Sequence, residues 1–388
     1  MARSKKDPGS PRLVDVFGSF SLVERVPRSL VEKSIEDAGK TSIRDCVLNA
    51  TLTLYLVLLM ALYSDLAAED VLCRVMSVVD PENEYRRVNK QTISEARKRL
   101  GAKPLESAYN SLAQASRPES GRYRLLSVYA LDGSCMDLPD SKPNSEHFGR
   151  AASSRGRTAF PQLRFTALVE QGSNFLLGAA LGPYSVGEHT LARESLGALP
   201  ADSLVLMDRG LVSFAIVSQV LERKAHVLCR VKRSLELPVK SRLPDGSYLS
   251  CIYASVNDRR TQTNPLAVRV VSFRIEGSEE EYRLLTSLLD PRKAPARELA
   301  ALYAQRWNIE EAFRDFKTRL KGSWDTLRSK TPDGVRQEFW ALLTVYNTVR
   351  GCLMEAALLA STKPSRLSFL KAIRILQDAV PNAVSGST

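Results

Sequence analysis

The chain has 388 residues and a formal net charge of +12, from 55 lysines and arginines against 43 aspartates and glutamates. Hydrophobic residues make up 44% and charged residues 25%, values of an ordinary globular protein that argue against a disordered tail, a coiled coil or a membrane channel. The excess of positive charge indicates a polyanionic partner, usually nucleic acid, although a soluble basic enzyme would have the same charge balance.

Cysteine and histidine usage bounds the metal and redox chemistry. Six cysteines and three histidines are scattered along the chain, and no two cysteines form a C-x-x-C pair. This spacing predicts neither a zinc site nor a disulfide framework. The N-terminal sequence MARSKKDP lacks the apolar stretch and the cleavage site of a secretory signal, so we expect a cytoplasmic protein.

Residues 1–118 are predicted to be a helical N-terminal domain. Within it, residues 47–63 (VLNATLTLYLVLLMALY) are nearly all apolar and reach the shortest length that spans a bilayer, about 17 residues. The segment contains polar side chains, and acidic residues follow it within two turns. We therefore interpret it as a buried helix of a bundle rather than a membrane span, and we expect no membrane partner.

A possible DNA-contacting element follows in the same domain. Residues 90–116 predict a helix, a stop at Gly101 and a second helix, with Arg97 and Lys98 on the first of the two. This pattern resembles a helix pair that contacts DNA, and Arg97 and Lys98 are its candidate DNA-binding residues. A solvated basic face would have the same pattern.

From residue 123 the hydrophobic period changes to that of strands. Strands are predicted at residues 124–134, 162–170, 174–181, 203–210 and 226–232, with a helix at 214–224. Three strands followed by a strand, a helix and a strand is the order of a ribonuclease-H-like core. The fold class is therefore α/β, and residues 119–232 form the first part of the catalytic core.

The rest of the chain predicts an interruption of this core and its completion. Residues 233–290 contain three further strand-like stretches and are interpreted as a β-rich insertion. Residues 291–388 supply the second part of the core and the C-terminal helices. Within them, residues 296–321 contain neither glycine nor proline and predict one long helix, and residues 338–360 predict a second.

Two aspartates stand where open α/β sheets place their ligands. Asp132 and Asp208 each occupy the carboxyl end of a predicted buried strand. Either carboxylate could instead cap a helix or belong to a turn, since Asp-Gly is a common turn pair.

A third carboxylate comes from the long helix. Four polar residues of this helix share one face at about 100° per residue: Tyr303, Arg306, Glu310 and Lys317. Glu311 points about 100° away from Glu310, so the geometry favours Glu310. A solvated face with internal ion pairs is the alternative.

Three neighbouring carboxylates repel one another unless a cation lies between them. Mg²⁺ prefers oxygen ligands and is usually held by a few carboxylates together with phosphate and water. Two such ions about 4 Å apart can activate a water or a 3′-hydroxyl and stabilise the leaving oxygen of a phosphodiester. Arginine and lysine nearby would neutralise DNA phosphates.

At this point the sequence resembles the insertion-sequence-four family of bacterial DDE transposases. The resemblance rests on Asp132 in LDGS, Asp208 in LMDRG, and the signature Y-(2)-R-(3)-E-(6)-K from Tyr303 to Lys317. It covers about residues 123–355, and the helical N-terminus is similar to the family's DNA-binding domain.

The resemblance implies cut-and-paste transposition, with metal-dependent hydrolysis at the transposon ends and 3′-hydroxyl strand transfer into target DNA. It also implies that Asp132, Asp208 and Glu310 bind two Mg²⁺ ions, for which Mn²⁺ can substitute. Tyr303, Arg306 and Lys317 would contact terminal phosphates. The implied partners are terminal inverted repeats, target DNA and a second subunit, in a homodimeric synaptic complex at the bacterial nucleoid.

The sequence departs from the family pattern in one respect. Some relatives stack a flipped base on a tryptophan of the β-rich insertion, but the three tryptophans of this chain all follow that insertion. Tyr248, Tyr253 or Phe273 could replace it, although each could equally be an ordinary core or strand residue, so the sequence leaves the hairpin route open. One competing hypothesis is a transposase-derived DNA-binding regulator that does not cut DNA, and another is a nuclease of the same fold that hydrolyses DNA without joining it to a target.

Overall fold

The computed structural model describes residues 25–42, 48–79, 88–118, 120–153, 156–274, 281–322 and 325–385. The chain divides into two units. The helical unit comprises Met1–Arg117, Met136–Gln162 and Phe313–Thr388, and the sheet unit comprises Pro118–Cys135 and Leu163–Ala312. The predicted block 1–118 falls almost entirely in the helical unit and block 233–290 in the sheet unit, whereas blocks 119–232 and 291–388 are each divided between the two units.

The elements are numbered in chain order over the described residues. The helices are α1 Arg28–Asp37, α2 Ala50–Leu62, α3 Ala68–Val79, α4 Lys90–Leu100, α5 Lys103–Ala115, α6 Lys142–Phe148, α7 Glu188–Ser195, α8 Phe214–Glu222, α9 Val256–Thr261, α10 Ala296–Ala304, α11 Asn308–Arg314, α12 Pro332–Leu359 and α13 Phe369–Ser385. The strands are β1 Arg122–Tyr123, β2 Leu126–Asp137, β3 Ala152–Ser153, β4 Gly156–Arg157, β5 Gln162–Glu170, β6 Leu176–Pro183, β7 Ser203–Met207, β8 His226–Arg230, β9 Ser241–Arg242, β10 Tyr248–Ile252, β11 Leu266–Arg274 and β12 Glu281–Thr286.

The helical unit is built around α12, which has 28 residues and is buried over most of its length. Helices α2 and α5 pack against it. The apolar helix α2 begins at the N-cap Asn49, whose side chain accepts a hydrogen bond from the Leu52 amide. Nine of its 13 residues are buried. Among the residues that the structure describes, no helix is long and apolar enough to cross a membrane.

The sheet unit contains one large sheet with the strand order β6-β5-β2-β7-β8-β12-β11-β10-β9. Its first five strands are those predicted from the sequence, with β5 and β6 forming the antiparallel hairpin. Strands β2, β7 and β8 run parallel to one another. All five residues of β7 are buried, as are residues 127–131 of β2 and 227–229 of β8, as expected for central strands covered on both faces.

The strands of residues 241–286 continue the same sheet instead of forming a separate layer. Strand β12 pairs antiparallel with β8, and β11, β10 and β9 follow as antiparallel neighbours. Helix α10 packs on β8 and β11. The β-rich segment therefore lies directly beside the helix that follows it in the sequence.

The single long helix predicted for residues 296–321 is wrong in detail. Helix α10 ends at Ala304, a 3-10 turn occupies Gln305–Trp307, α11 follows, and Asp315–Leu320 form a π-helical turn. Side chains along residues 296–321 are therefore not spaced evenly at 100° per residue, as they would be on a single α-helix. The π turn accompanies a buried charge, because Asp315 forms ion pairs with Arg319 and with Arg350 of α12.

Candidate active site

Asp132 and Asp208 lie side by side in the sheet unit. The last registered pair between the parallel strands β2 and β7 is Leu131 with Met207. Asp132 follows Leu131 within β2, which continues to Asp137, and Asp208 is the first residue after β7; adjacent strands are about 4.8 Å apart. The two aspartates are therefore neighbours where β7 ends, although β2 runs past the strand end that the sequence predicted near Asp132.

The environment of Asp132 disfavours its charged form. Burial raises the pKa of Asp132, and the negative charges of Glu188 and Asp208 act in the same direction. The Gly133 amide donates a hydrogen bond of 2.9 Å to Asp132 Oδ1 and, with the Arg306 guanidinium, opposes the rise without cancelling it. A further cation near Asp132 would lower this pKa and favour the ionised form.

Arg306 links two carboxylates of the proposed triad. Its Nη1 lies 3.2 Å from Asp132 Oδ2, and its Nη2 lies 3.7 Å from Glu310 Oε1. The arginine side chain is 11% exposed, whereas that of Glu310 is 50% exposed. Arg306 thus connects Glu310 to Asp132, although a 3-10 turn separates the helix that carries Glu310 from α10.

Tyr303 is held against the strand that precedes Asp208. Its hydroxyl donates a hydrogen bond of 3.3 Å to the Met207 carbonyl oxygen. Burial raises the pKa of Tyr303 to about 12, so the phenol stays neutral and remains a donor at physiological pH. The structure thus brings Tyr303, Arg306 and Glu310 together with the two aspartates in one unit.

The other three predicted site residues belong to the helical unit. Lys317 lies in the π turn and is partly buried. Arg97 donates hydrogen bonds to Gln337 Oε1 at 3.1 Å and to Ser329 Oγ at 3.0 Å, which ties α4 to the start of α12. Lys98 is exposed. Arg97 is therefore engaged inside its own unit, while Lys98 presents its charge to solvent.

One carboxylate near the site was not predicted from the sequence. Glu188, in the first turn of α7, lies over the α-carbon of Gly133, where the Cβ of an alanine would be only 2.0 Å from Glu188 Oε1. The neighbouring His189 ring nitrogen Nε2 is 2.7 Å from the Gly210 carbonyl oxygen. An acidic residue in the first turn of a helix is a common feature, so the sequence carries no signal that distinguishes Glu188.

The donor set of the site suits a hard divalent cation. Asp132, Asp208 and Glu310 offer carboxylate oxygens, the ligands that Mg²⁺ prefers. In the part of the chain that the structure describes, no group of three or more His, Cys, Asp or Glu side chains is close enough to hold an ion. The Arg306 guanidinium contacts two of the carboxylates instead. The residues therefore fit Mg²⁺ chemically, provided that Arg306 shifts toward another anion when the ion binds.

Comparisons with known proteins first define the class. Residues 123–348 match the family model of the transposase DDE domain, and residues 18–110 match that of the insertion element 4 transposase N-terminal region. The first match covers more than half of the chain. The protein therefore belongs to the DDE transposases of insertion sequences, and within them to the insertion-sequence-four family.

Individual relatives agree with this membership. The transposase InsG for insertion sequence element IS4 of Escherichia coli (strain K12) is 25% identical over 379 residues, which cover 94% of this chain and 85% of InsG. The putative transposase InsZ of the same organism is 32% identical over 144 residues, covering 36% of this chain and 48% of InsZ.

A solved structure shares the fold. The cryo-EM structure of a piggyBac transposase synaptic complex with hairpin DNA matches with a TM-score of 0.50 and 11% identity, covering 96% of this chain and 80% of that one. The mixed α/β architecture with one large sheet is thus similar to the fold of that transposase.

Proposed function

We propose that this protein catalyses cut-and-paste transposition of an insertion sequence, by metal-dependent hydrolysis at the transposon ends followed by 3′-hydroxyl strand transfer into target DNA. One observation carries the proposal. Asp132 and Asp208 follow the last registered pair of two parallel strands, and Arg306 connects Asp132 to Glu310. A structural core would have no use for three polar acidic groups in this arrangement.

In the proposed mechanism Asp132, Asp208 and Glu310 hold two Mg²⁺ ions, for which Mn²⁺ can substitute. Bound divalent ions would supply activation of the attacking oxygen and stabilisation of the leaving oxygen of the phosphodiester. The chain itself would provide the carboxylates, and a nearby cation would favour the ionised form of Asp132, whose pKa is raised by burial.

Tyr303, Arg306 and Lys317 would bind the terminal phosphates. Arg306 offers two guanidinium nitrogens to a phosphate once it leaves its carboxylates, and Lys317 adds a point charge. Tyr303 offers a neutral hydroxyl, since its pKa is raised to about 12 by burial.

The proposed partners are the terminal inverted repeats of the element, target DNA and a second copy of the chain. Two ends must be joined at once, so a homodimer is the expected synaptic assembly. Residues 1–118 would bind the repeats, with Lys98 of α4 as an exposed phosphate contact and Arg97 supporting α4 from inside. The protein would act in the bacterial cytoplasm, at the nucleoid.

The second candidate is a regulator that binds transposon ends without cutting them. Linear DNA carrying the element's own ends, incubated with Mg²⁺ or with EDTA, separates the two functions. Glu310→Gln is expected to bind DNA and not cut it, and Glu311→Gln is the matched control in the next position. Equal cutting by the parent and Glu310→Gln would overturn the catalytic assignment, and absence of Mg²⁺-dependent cutting in the parent would favour the regulator.

A further inference from the structure

The β-rich segment contains a fully buried arginine. Arg269 on β11 is 0% exposed, and all three of its guanidinium nitrogens are engaged. Nε donates to Ser247 Oγ at 2.8 Å, Nη1 donates to the Ala294 carbonyl oxygen at 2.6 Å, and Nη2 pairs with Asp245. A buried charge of this kind is costly unless it is paired and hydrogen-bonded, and here each of the three nitrogens has a partner.

Asp245 connects this arginine to the helix that carries Tyr303. It lies in the turn between β9 and β10, and its Oδ2 also accepts a hydrogen bond of 3.0 Å from the Ala296 amide. Ala296 is the first residue of α10 and is 51 residues away in the sequence. Ser247 donates to Asp245 Oδ1 through its amide at 3.2 Å and its hydroxyl at 2.5 Å, which fixes the carboxylate.

The start of α10 depends on this contact because it has no cap of its own. The N-cap residue is Pro295, which has no side-chain acceptor for the free amides of the first turn. Asp245 supplies the missing acceptor, and its negative charge suits the positive end of the helix. Arg269 at the same time binds the Ala294 carbonyl, two residues before the helix.

We propose that Asp245 and Arg269 are positioning residues through which the β-rich segment sets the place of the catalytic helix. Helix α10 carries Tyr303, and the 3-10 turn that follows it carries Arg306. A displacement of Ala296 would move α10 and the 3-10 turn after it, and would thereby alter the Tyr303–Met207 and Arg306–Asp132 contacts. Neither Asp245 nor Arg269 contacts the triad, so both act through α10. The inference rests on the proposed function.

The test uses the full chain and DNA carrying the element's ends. Asp245→Asn removes the charge at constant shape, and Ser247→Ala is a milder change that removes one hydroxyl from the same cluster. Glu236→Gln is the matched control, because Glu236 is an exposed partner of Arg259 in the same segment. Single-turnover cutting is measured against Mg²⁺ concentration, together with DNA affinity and hydrogen exchange at the Ala296 amide.

Asp245→Asn is expected to cut about 10- to 100-fold more slowly, the cost of a small misplacement of reacting groups. It should also need several-fold more Mg²⁺ for half-maximal rate and exchange the Ala296 amide faster, with DNA affinity kept. Ser247→Ala should show the same changes to a smaller degree. A merely structural role would lower the melting temperature without moving the Mg²⁺ dependence.

Two results would overturn the inference. One is a rate and Mg²⁺ dependence within twofold of the parent for Asp245→Asn, with the Ala296 amide exposed to exchange. The other is an equal loss of rate in Glu236→Gln. If Asp245→Asn does not fold, the Mg²⁺ dependence of Ser247→Ala decides by the same criterion. Full cutting by Glu310→Gln would instead contradict the proposed function, whatever the outcome at position 245.

Discussion

Replacement of Arg306 tests the electrostatics of the site most directly. Arg306→Met removes the hydrogen bond of 3.2 Å to Asp132 and the ion pair of 3.7 Å to Glu310. A hydrogen bond between charged, largely buried groups contributes about 1.5–3 kcal/mol. The Glu310 pair contributes much less, since its carboxylate is half exposed and screened by water.

The loss falls mainly on the ionised form of Asp132. The guanidinium lowers the pKa of Asp132 against the effect of burial, so its removal raises that pKa further. If Asp132 must be ionised to bind Mg²⁺, the acid limb of the cutting rate moves to higher pH. At a fixed pH on that limb, 1.5–3 kcal/mol corresponds to a rate lower by about 10- to 100-fold.

The assay is single-turnover cutting of end DNA from pH 5 to 9, with DNA affinity measured separately. Arg193→Met is the control of equal charge change in the same unit, where the Arg193 guanidinium bonds Gln219. An Arg306→Met protein whose affinity falls while its acid limb stays in place would refute the reasoning. Arg306 would then act on DNA phosphate alone.

Three further predictions concern the neighbours of this site. In Gly133→Ala the new methyl group forces the Glu188 carboxylate away, so the pKa of Asp132 should fall and the acid limb of the cutting rate should move to lower pH. Glu188→Gln removes the same negative charge and should have the same effect. An unchanged pH profile in both variants would exclude Glu188 from the site. Because the folded pKa of Asp132 is raised by burial, its ionisation reduces stability as pH rises above about 4, so Asp132→Asn in EDTA should melt no lower than the parent at pH 7. Burial raises the pKa of Asp245, but the hydrogen bonds from Ser247 and Ala296 and the charge of Arg269 outweigh burial, so the pKa in the folded protein is lowered. Ionised Asp245 therefore stabilises the fold fully above about pH 4, and this stabilisation is lost as the pH falls through the lowered pKa. The difference in melting temperature between the parent and Asp245→Asn should accordingly shrink in acid.

The sequence determined the parts of this protein that depend on local pattern. Buried strands that end in an aspartate identified Asp132 and Asp208, because apolar runs and their polar ends are properties of a few consecutive residues. The spacing of Tyr303, Arg306 and Glu310 could be read in the same way, since three or four residues separate neighbours on a helix face. The family resemblance followed from these residues and is confirmed by the family matches.

The tertiary structure decided what depends on pairing between distant segments. The even helix predicted for residues 296–321 contains a 3-10 turn and a π turn, the latter beside the buried pair of Asp315 and Arg350. Arg97 is bound by residues more than 200 positions away, so a charge that the sequence predicts on the surface is used internally.

The same reason accounts for the residues that the sequence left unmarked. Glu188 reaches Gly133 only because α7 folds back toward β2. Asp245 reaches Ala296 only because the β-rich strands extend the central sheet. A hydrophobic period reports which face of an element is buried, but it carries no information about which remote side chain will meet that face. The candidate site residues could therefore be predicted from short motifs. Their geometry depends on the strand order of the sheet and on the contacts that this order makes between distant segments.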